Sequence, residues 1–392
     1  MLFSRTDDSL AARWWFTVDL RLVAALLALV GVGLVVSLAA SPAVAVKKGF
    51  APFHFAERQF VFAGLGIVVM LAASLLTPRG VRRAALIIFI VSLVAMIAVL
   101  VTGDEINGAR RWLRFAGFSM QPSEFAKPAV FILSAWALSE IEQRSDMPAR
   151  SIAVGLLVVP AVLLVLQPDI GQTLLITLVW GALFFVSGRS LAVAAALAAI
   201  AVGGVALAYL SFPHVQNRFD RFLAPGSGDN TQIERALQSF AEGGFLGRGP
   251  GEGTIKMILP DAHTDFIFAV IAEEFGIIAC LGLVALFALI VGRSLRHATR
   301  ERDPFLRLAI TGLALGFALQ ALINMSVNVG LAPAKGMTLP FISAGGSSTL
   351  AISLTMGFLM ALTRRRPDPA RLKMPRWTGT DMSRDRLRYE PP

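Results

Sequence analysis

The feature that most constrains this chain is a succession of apolar runs, each roughly 18 residues or longer, recurring from residue 20 to residue 363. At about 1.5 Å of rise per residue, such a run covers a hydrocarbon core of about 30 Å as a helix. Lipid offers no water to backbone N–H and C=O groups, so each run must close its own hydrogen bonds. No stretch shows the alternating hydrophobicity of a membrane barrel. The expected fold is an all-α integral membrane protein. Composition agrees, with 55% apolar and 16% charged residues among 392, where a soluble domain carries about a quarter charged.

Ten transmembrane helices are expected, at about 20–40, 59–76, 84–102, 123–142, 151–166, 170–187, 190–211, 264–292, 305–329 and 347–363. Residues 1–19 are polar around Trp14 and Trp15, and no cleavable signal is expected before the first span. Cations assign the sides. With the N-terminus inside, the inner segments hold 23 of the 36 Lys and Arg, nine of them after residue 363. Both termini are then cytoplasmic, as an even number of spans requires. The tail 364–392 combines charge and proline with little apolar content and is expected to be mostly disordered. Three divisions follow: residues 1–19, a membrane domain 20–363 and the tail. A net charge of +10 could suggest nucleic acid, but a membrane protein places that charge by sidedness, and no nucleic-acid partner is expected. The lone Cys280 makes no intramolecular disulfide.

The exceptions to this charge pattern carry the functional signal. Arg110, Arg111 and Arg114 sit together in the outer loop between spans three and four. A large extracytoplasmic loop between helices 7 and 8, residues 212–263, is too long for a plain connector. Within it Thr231–Ala241 has helical composition, and six glycines fall between Gly243 and Gly253. Ionisable groups inside a membrane cost several kcal/mol unless paired or wet. Two sets stand out. Gln121-Pro-Ser-Glu-Phe-Ala-Lys127 opens span four and puts Glu124 and Lys127 on one helix face. They form either a local ion pair that holds the helix in place or part of a site. His263-Thr-Asp-Phe266 is followed by Glu273 and Glu274. Eight residues separate Asp265 from Glu273, which predicts one helix face with Glu273 about 12 Å deeper. Glu273 and Glu274 either bond backbone and helix ends or serve a site. Asp265, at the outer mouth, suits a helix-terminal acid or a general base.

Several chemistries find no motif. The chain has no G-x-x-x-x-G-K-[ST] loop, H-E-x-x-H, CxxC or G-x-S-x-G, and no S-x-x-K for a penicillin-binding transpeptidase site. The glycines of Gly247–Gly253 only superficially resemble a phosphate cradle.

Taken together, four segments resemble the SEDS family of shape, elongation, division and sporulation proteins. They are Asn107–Trp112 with Gln121–Lys127, Leu166-Gln-Pro-Asp-Ile-Gly171, Lys256–Gly276, and Gly336-Met-Thr-Leu-Pro-Phe-Ile-Ser-Ala-Gly-Gly-Ser-Ser348. They occur in the family's order between about residues 20 and 363. Ala39-Ala-Ser-Pro-Ala-Val-Ala45, placed after span one, looks like the division branch more than the elongation branch. Ala344 departs from the aromatic residue common before the paired glycines.

The resemblance implies a peptidoglycan glycosyltransferase that polymerises lipid II at the outer face of the bacterial inner membrane, at the division septum. It implies a class B penicillin-binding protein as partner, with other membrane proteins of the division machinery. Asp265 is the implied catalytic position. Arg111, Trp112, Glu124, Lys127, His263, Lys335, Ser343, Gly345, Gly346 and Ser347 are implied substrate-binding positions. A hydroxyl that attacks an anomeric carbon needs a base, here Asp265, and the departing diphosphate needs positive charge, here Arg111 and Lys127. Glu124 would orient Lys127 or, with Asp265, help hold a divalent cation such as Mg2+ or Mn2+. Trp112 would pack on a sugar face or anchor the interface. A lipid II flippase, an elongation-type polymerase and a non-catalytic scaffold are the competing readings.

Overall fold

The computed structural model describes residues 9–106, 109–115, 118–141, 143, 146–188, 231–333 and 336–365, with isolated positions between 199 and 216. Span seven (190–211), Lys335 and the tail beyond Arg365 therefore lie outside the described residues, apart from those isolated positions. Two compact units emerge. One contains helix α1 (Leu10–Thr17) and Arg364, whose Nε donates to Thr17 Oγ1 at 3.0 Å. The other is Asp19–Thr363.

Nine long helices of the larger unit coincide with nine of the ten expected spans. They are α2 (Leu20–Lys47), α3 (His54–Ser74), α4 (Pro78–Thr102), α5 (Pro122–Glu140), α6 (Ala149–Leu166), α7 (Ile170–Val186), α9 (Ile267–Arg300), α10 (Pro304–Asn328) and α11 (Gly346–Thr363). Between them lies α8 (Thr231–Gly243), the helix expected in the long outer loop. Seven of the described helices are long and apolar enough to cross a membrane. The first span is longer than expected. The helix continues through Pro42 to Lys47, so Ala39–Ala45 lies within it and not after it.

Three helices form the centre. α5, α10 and α11 are buried along most of their length, whereas α4 and α6 keep most of their apolar side chains on the outside, where lipid would lie. The central helices carry small residues that let neighbours approach closely. A Cβ at Gly316 would meet the Phe131 ring at 2.4 Å, and one at Gly357 would meet the Met70 backbone at 2.6 Å. Because α5 is enclosed by protein, it tolerates Glu124 and Lys127 that a lipid-facing helix would not.

One element is not helical. A three-stranded antiparallel meander, β1 (Asp104–Ile106), β2 (Ala109–Phe115) and β3 (Phe118–Met120), fills the connection between α4 and α5. It carries the arginine cluster, and strand alternation divides that cluster between two faces. Arg114 reaches Asp104 at 3.1 Å, while Arg111 turns toward the α6–α7 turn.

The long helix α9 is interrupted at Gly276, whose φ of 79° lies in the left-handed region. The interruption frees backbone groups that the glycine-rich loop satisfies. Arg248 N donates to Glu273 O at 2.9 Å and Gly249 N to Glu274 O at 3.0 Å. In return Ile277 N donates to Gly244 O at 3.0 Å. A Cβ at Gly243 would lie 1.9 Å from Ala272 O, and one at Gly276 2.3 Å from Phe245 O. Gly243 and Gly247 of this loop are thus required by close backbone pairing with α9.

Candidate active site

Two polar networks and one cavity meet at the end of the bundle that the charge pattern assigns to the outside. The first network surrounds Glu124 and Lys127. Both side chains are about 4% exposed, and Lys127 Nζ lies 2.9 Å from Glu124 Oε2. Pro122 sets the first turn of α5, and the three-residue spacing stacks the pair on one face. Gln172 Nε2 donates to Glu124 Oε1 at 2.6 Å, and Lys127 Nζ donates to Gln320 Oε1 at 2.7 Å. Gln320 in turn donates to Thr338 O at 3.1 Å, and Thr338 and Ser348 share a hydroxyl–hydroxyl bond of 2.6 Å.

Arg111 belongs to the same network by another route. It donates to the carbonyls of Gln167 and Pro168 and lies 3.8 Å from Asp169 Oδ2. Gln121 Nε2 donates to the same Asp169 carboxylate at 3.1 Å. Burial pushes the Asp169 carboxyl up, with Arg111 pulling the other way. The Arg111 guanidinium thus fastens the meander to the α6–α7 turn.

The second network fixes Asp265. The sequence pattern places Asp265 on the helix with Glu273, but α9 begins at Ile267, two residues later. Asp265 therefore sits in the turn before the helix and does not share a helical face with Glu273. The turn is gripped through its backbone. Asp265 O accepts from Asn324 Nδ2 and Asn328 Nδ2, each at 2.9 Å. Thr264 O accepts from Ser343 Oγ, and His263 O from Ala344 N at 2.9 Å. The Asp265 carboxylate is partly exposed, with Oδ2 beside Gly336, where a Cβ would stand 3.6 Å away.

Gln320, Asn324 and Asn328 recur every four residues along α10 and so form one polar stripe. Lys127 touches its first member and the Asp265 backbone the next two. One helical turn, about 5.4 Å, separates those contacts along α10. Asn324 and Asn328 were not singled out from the sequence. Their signal was present as an amide pair four apart inside an apolar run.

Glu273 and Glu274 have structural work. Glu273 accepts from the consecutive N–H groups of Thr254, Ile255 and Lys256, at 2.6, 2.7 and 3.0 Å. Glu274 pairs with Lys256, whose Nζ also donates to Ala39 O at 3.1 Å. Of the two readings open in the sequence, bonding to backbone within the bundle is the one observed.

Beside Asp265 opens a cavity of about 450 Å³. Its wall includes Trp112, His263, Gly345 and Gly346 among the expected site residues, together with Thr264. It also includes Lys48, Phe55, Arg58, Gln59 and Phe62, which sequence reasoning missed. Trp112 and Arg114, two apart on β2, both face it, whereas Asp265, Arg111, Glu124 and Lys127 do not line it, Asp265 following Thr264 of the wall. Ser343 lies behind the wall, bonded to Thr264 O and Leu339 N, and Ser347 Oγ accepts from Gln121 N at 3.4 Å. His263 is 7% exposed and its Nδ1 has no hydrogen-bond partner. Burial, aided by Lys48, pulls its pKa down to about 4, so the imidazole is neutral near pH 7.

Among the described residues no group of three or more His, Cys, Asp or Glu converges as a metal site. Glu124 is occupied by Lys127 and Gln172.

A charged set also exists at the opposite end. Arg293 binds Asp19 through two bonds, 2.6 and 2.7 Å long, and His297 Nε2 lies 2.6 Å from Asp19 Oδ2. Asp19 caps α2, and its bonds to Arg293 and His297 outweigh burial and draw its pKa down to about 2.

A bundle of apolar helices with an ionic interior and a cationic cavity at one end defines a multi-pass membrane protein with a site at the membrane surface. Residues 20–367 match the FtsW/RodA/SpoVE family of cell cycle proteins, and the chain belongs to that family. It is 46% identical over 366 residues to a probable peptidoglycan glycosyltransferase FtsW of Caulobacter vibrioides, covering 93% of this chain and 94% of that protein. A protein of the same description from Trichlorobacter lovleyi is 35% identical, covering 93% and 96%. Among solved structures, a chain from a peptidoglycan synthase complex that coordinates polymerization and crosslinking superposes with a TM-score of 0.72. It is 28% identical, over 89% of this chain and 98% of that one. The rod shape determining protein RodA of Thermus thermophilus gives a TM-score of 0.67 at 28% identity, over 90% and 99%.

Proposed function

We propose that this chain is a division-type peptidoglycan glycosyltransferase that polymerises lipid II into glycan strands at the outer face of the bacterial inner membrane, at the septum. One observation carries the reading: Asp265, partly exposed, is held through its backbone in the turn whose preceding residues, His263 and Thr264, line a cationic cavity. In the proposed reaction a sugar hydroxyl of one substrate attacks the anomeric carbon of the other. The new C–O bond forms as the bond to the lipid diphosphate breaks, and Asp265 accepts the hydroxyl proton. The diphosphate leaves with its negative charge. Arg111 and Lys127 add positive potential from their bonded positions, and the cations of the cavity wall add more. A single displacement inverts the anomeric centre.

Trp112 supplies an apolar face for a sugar ring within the cavity. A divalent cation such as Mg2+ would be held by Asp265 with the substrate's own phosphate oxygens, since this ion commonly binds one or two carboxylates plus phosphates. Residues 20–363 form the catalytic membrane domain in this proposal, and Lys335, outside the described residues, is kept as a proposed substrate-binding position. A class B penicillin-binding protein is the proposed partner, which would cross-link the strands. The likeness to a chain of a peptidoglycan synthase complex supports it.

The test is to incubate the purified chain, with and without that partner, with labelled lipid II and resolve the products. Glycan ladders are expected from the parent protein and none from Asp265→Ala. Full ladders from the Asp265→Ala complex would remove the base assignment. Transfer of lipid II across vesicle membranes with no ladder would establish a flippase instead.

A further inference from the structure

The segment from α8 to Asp265 runs down the side of α9 before it climbs back. At its start Leu237 lies beside Gly330, just past the outer end of α10, where a Cβ would stand 3.5 Å from Leu237 Cδ1. Next, Phe240 meets Phe268 in the first turn of α9, with ring centroids 5.7 Å apart. Gly243 then presses on Ala272. The carbonyls of Gly244 and Phe245 accept from Ile277 N and Ile278 N at 3.0 and 3.3 Å. Phe268 and Ile278 are about 15 Å apart along α9. After Leu246 the chain turns back, and Arg248 N and Gly249 N reach the carbonyls of Glu273 and Glu274. Phe245 and Leu246 are thus the tip of a descending hairpin.

Two polar ties fix where that tip lies relative to lipid. At the inner end Asp19, the cap of α2, binds Arg293 of α9. Toward the outer end Lys256 Nζ donates to Ala39 O of α2 at 3.1 Å and pairs with Glu274 of α9. The ties are about 30 Å apart along α2, from Asp19 to Ala39, and about 28 Å along α9, from Arg293 to Glu274. Each helix therefore covers about one hydrocarbon thickness between them. Ile278 lies about 6 Å inside the outer tie. The side chains follow that boundary. Glu242 and Arg248 pair with each other, and Arg248 N bonds Glu273 O, so this ion pair sits at the level of the tie. Between those two residues the chain holds only Gly, Phe and Leu. Phe245 and Leu246 are 75% and 79% exposed, and the bond from Ile278 N joins them to the apolar outer face of α9, where Ile278 and Leu281 are 57% and 62% exposed.

We propose that Gly243–Gly247 is a re-entrant anchor that seats Phe245 and Leu246 among the acyl chains of the outer leaflet. Irregular backbone is tolerated at such depth only where protein satisfies it. Here Ile277 N and Ile278 N serve the two tip carbonyls, and Gly247 N donates to Gly243 O at 2.8 Å. The break in α9 at Gly276 is what gives room for this pairing, since a Cβ there would meet Phe245 O. The same chain leads from the tip through Lys256 to the turn bearing Asp265, so the anchor sets the height of that turn over the membrane. The anchor requires nothing of the reaction at Asp265 and stands or falls apart from it.

Depth is measured on the full chain carrying Cys280→Ala, in lipid nanodiscs, with one nitroxide at a time on Phe245→Cys, Leu246→Cys, Glu252→Cys or Leu281→Cys. Power saturation in electron paramagnetic resonance compares collisions with oxygen, which concentrates in lipid, and with a nickel chelate, which stays in water. The labels at 245 and 246 are expected about 5–10 Å below the headgroups, the depth of an interfacial apolar element. The label at 281 should lie deeper, and the label at 252, exposed on the returning arm, should lie in water. All four labelled positions are exposed, and unchanged thermal unfolding of each variant confirms an intact fold. Nickel collisions at 245 and 246 equal to those at 252 overturn the anchor. Protection there from both oxygen and nickel overturns it too, since protein then covers the tip. Adding a class B penicillin-binding protein should leave the oxygen collisions unchanged, and their loss reassigns the tip to a protein partner and overturns lipid as its occupant.

Discussion

Removing one member of the Glu124–Lys127 pair should cost far more stability than removing both. The two groups lie 2.9 Å apart and each is about 4% exposed. Lys127→Met leaves a buried carboxylate with Gln172 as its remaining neutral donor, and Glu124→Met leaves a buried ammonium with Gln320. Breaking a buried pair in this way costs about 3–5 kcal/mol, whereas replacing both charges by apolar groups is often near neutral. The double variant should therefore be more stable than either single one. The coupling energy from the four-member cycle should exceed about 2 kcal/mol. Equilibrium unfolding of the purified chain in mixed micelles with increasing SDS supplies all four values. Single losses below about 1 kcal/mol, or a double variant equal to the sum of the singles, would refute the claim that both groups are charged and mutually dependent.

Three further outcomes follow from other parts of the structure. Gly276→Ala forces a left-handed residue and a Cβ 2.3 Å from Phe245 O, so thermal unfolding should show a loss of about 3 kcal/mol or more. His263 has a folded pKa of about 4 against 6.5 unfolded. Its stabilising linkage is then complete above pH 6.5 and lost as pH falls toward 4, worth up to about 3 kcal/mol. Unfolding measured from pH 7.5 to 4 should show that slope, flattened in His263→Gln. Asp19 has a folded pKa of about 2 against 3.8 unfolded, so its contribution is present above pH 4 and lost between 4 and 2. Asp19→Asn should lower stability at pH 7 and remove that acid-sensitive step.

Helix positions were legible because they are set by long-range apolar content, which any lipid-spanning segment must have. The meander at Asp104–Met120 was not, because its short strands have no periodicity beyond a few residues and are specified by Arg111 meeting carbonyls some 56 residues away. Asp265 was legible as a candidate because the sequence puts it within the apolar run 264–292, where a carboxylate is costly unless paired or wet. Its place relative to Glu273 was not, because the eight-residue spacing assumes an unbroken helix and α9 starts only at Ile267. The Glu124–Lys127 pairing followed from spacing alone. The cavity cations Lys48 and Arg58 were not legible, because only the fold brings them beside Trp112 and His263.

The support of Asp265 shows how a residue in a turn can be held in one place. A turn is the least constrained kind of backbone, yet three successive carbonyls here, at His263, Thr264 and Asp265, are each held from outside the turn. The donors come from α10 and from the segment before α11, both deep in the protein core. Asn328 Oδ1 also accepts from Ala269 N at 3.0 Å, which ties the first turn of α9 to the same amide. Position is therefore fixed largely through main-chain atoms. The same logic distinguishes Glu273 and Glu274, whose carboxylates are spent on the backbone of Thr254–Lys256 and on the Lys256 ammonium. Of the three acids on this segment, Asp265 is the one whose main-chain carbonyl is gripped by two amides, those of Asn324 and Asn328.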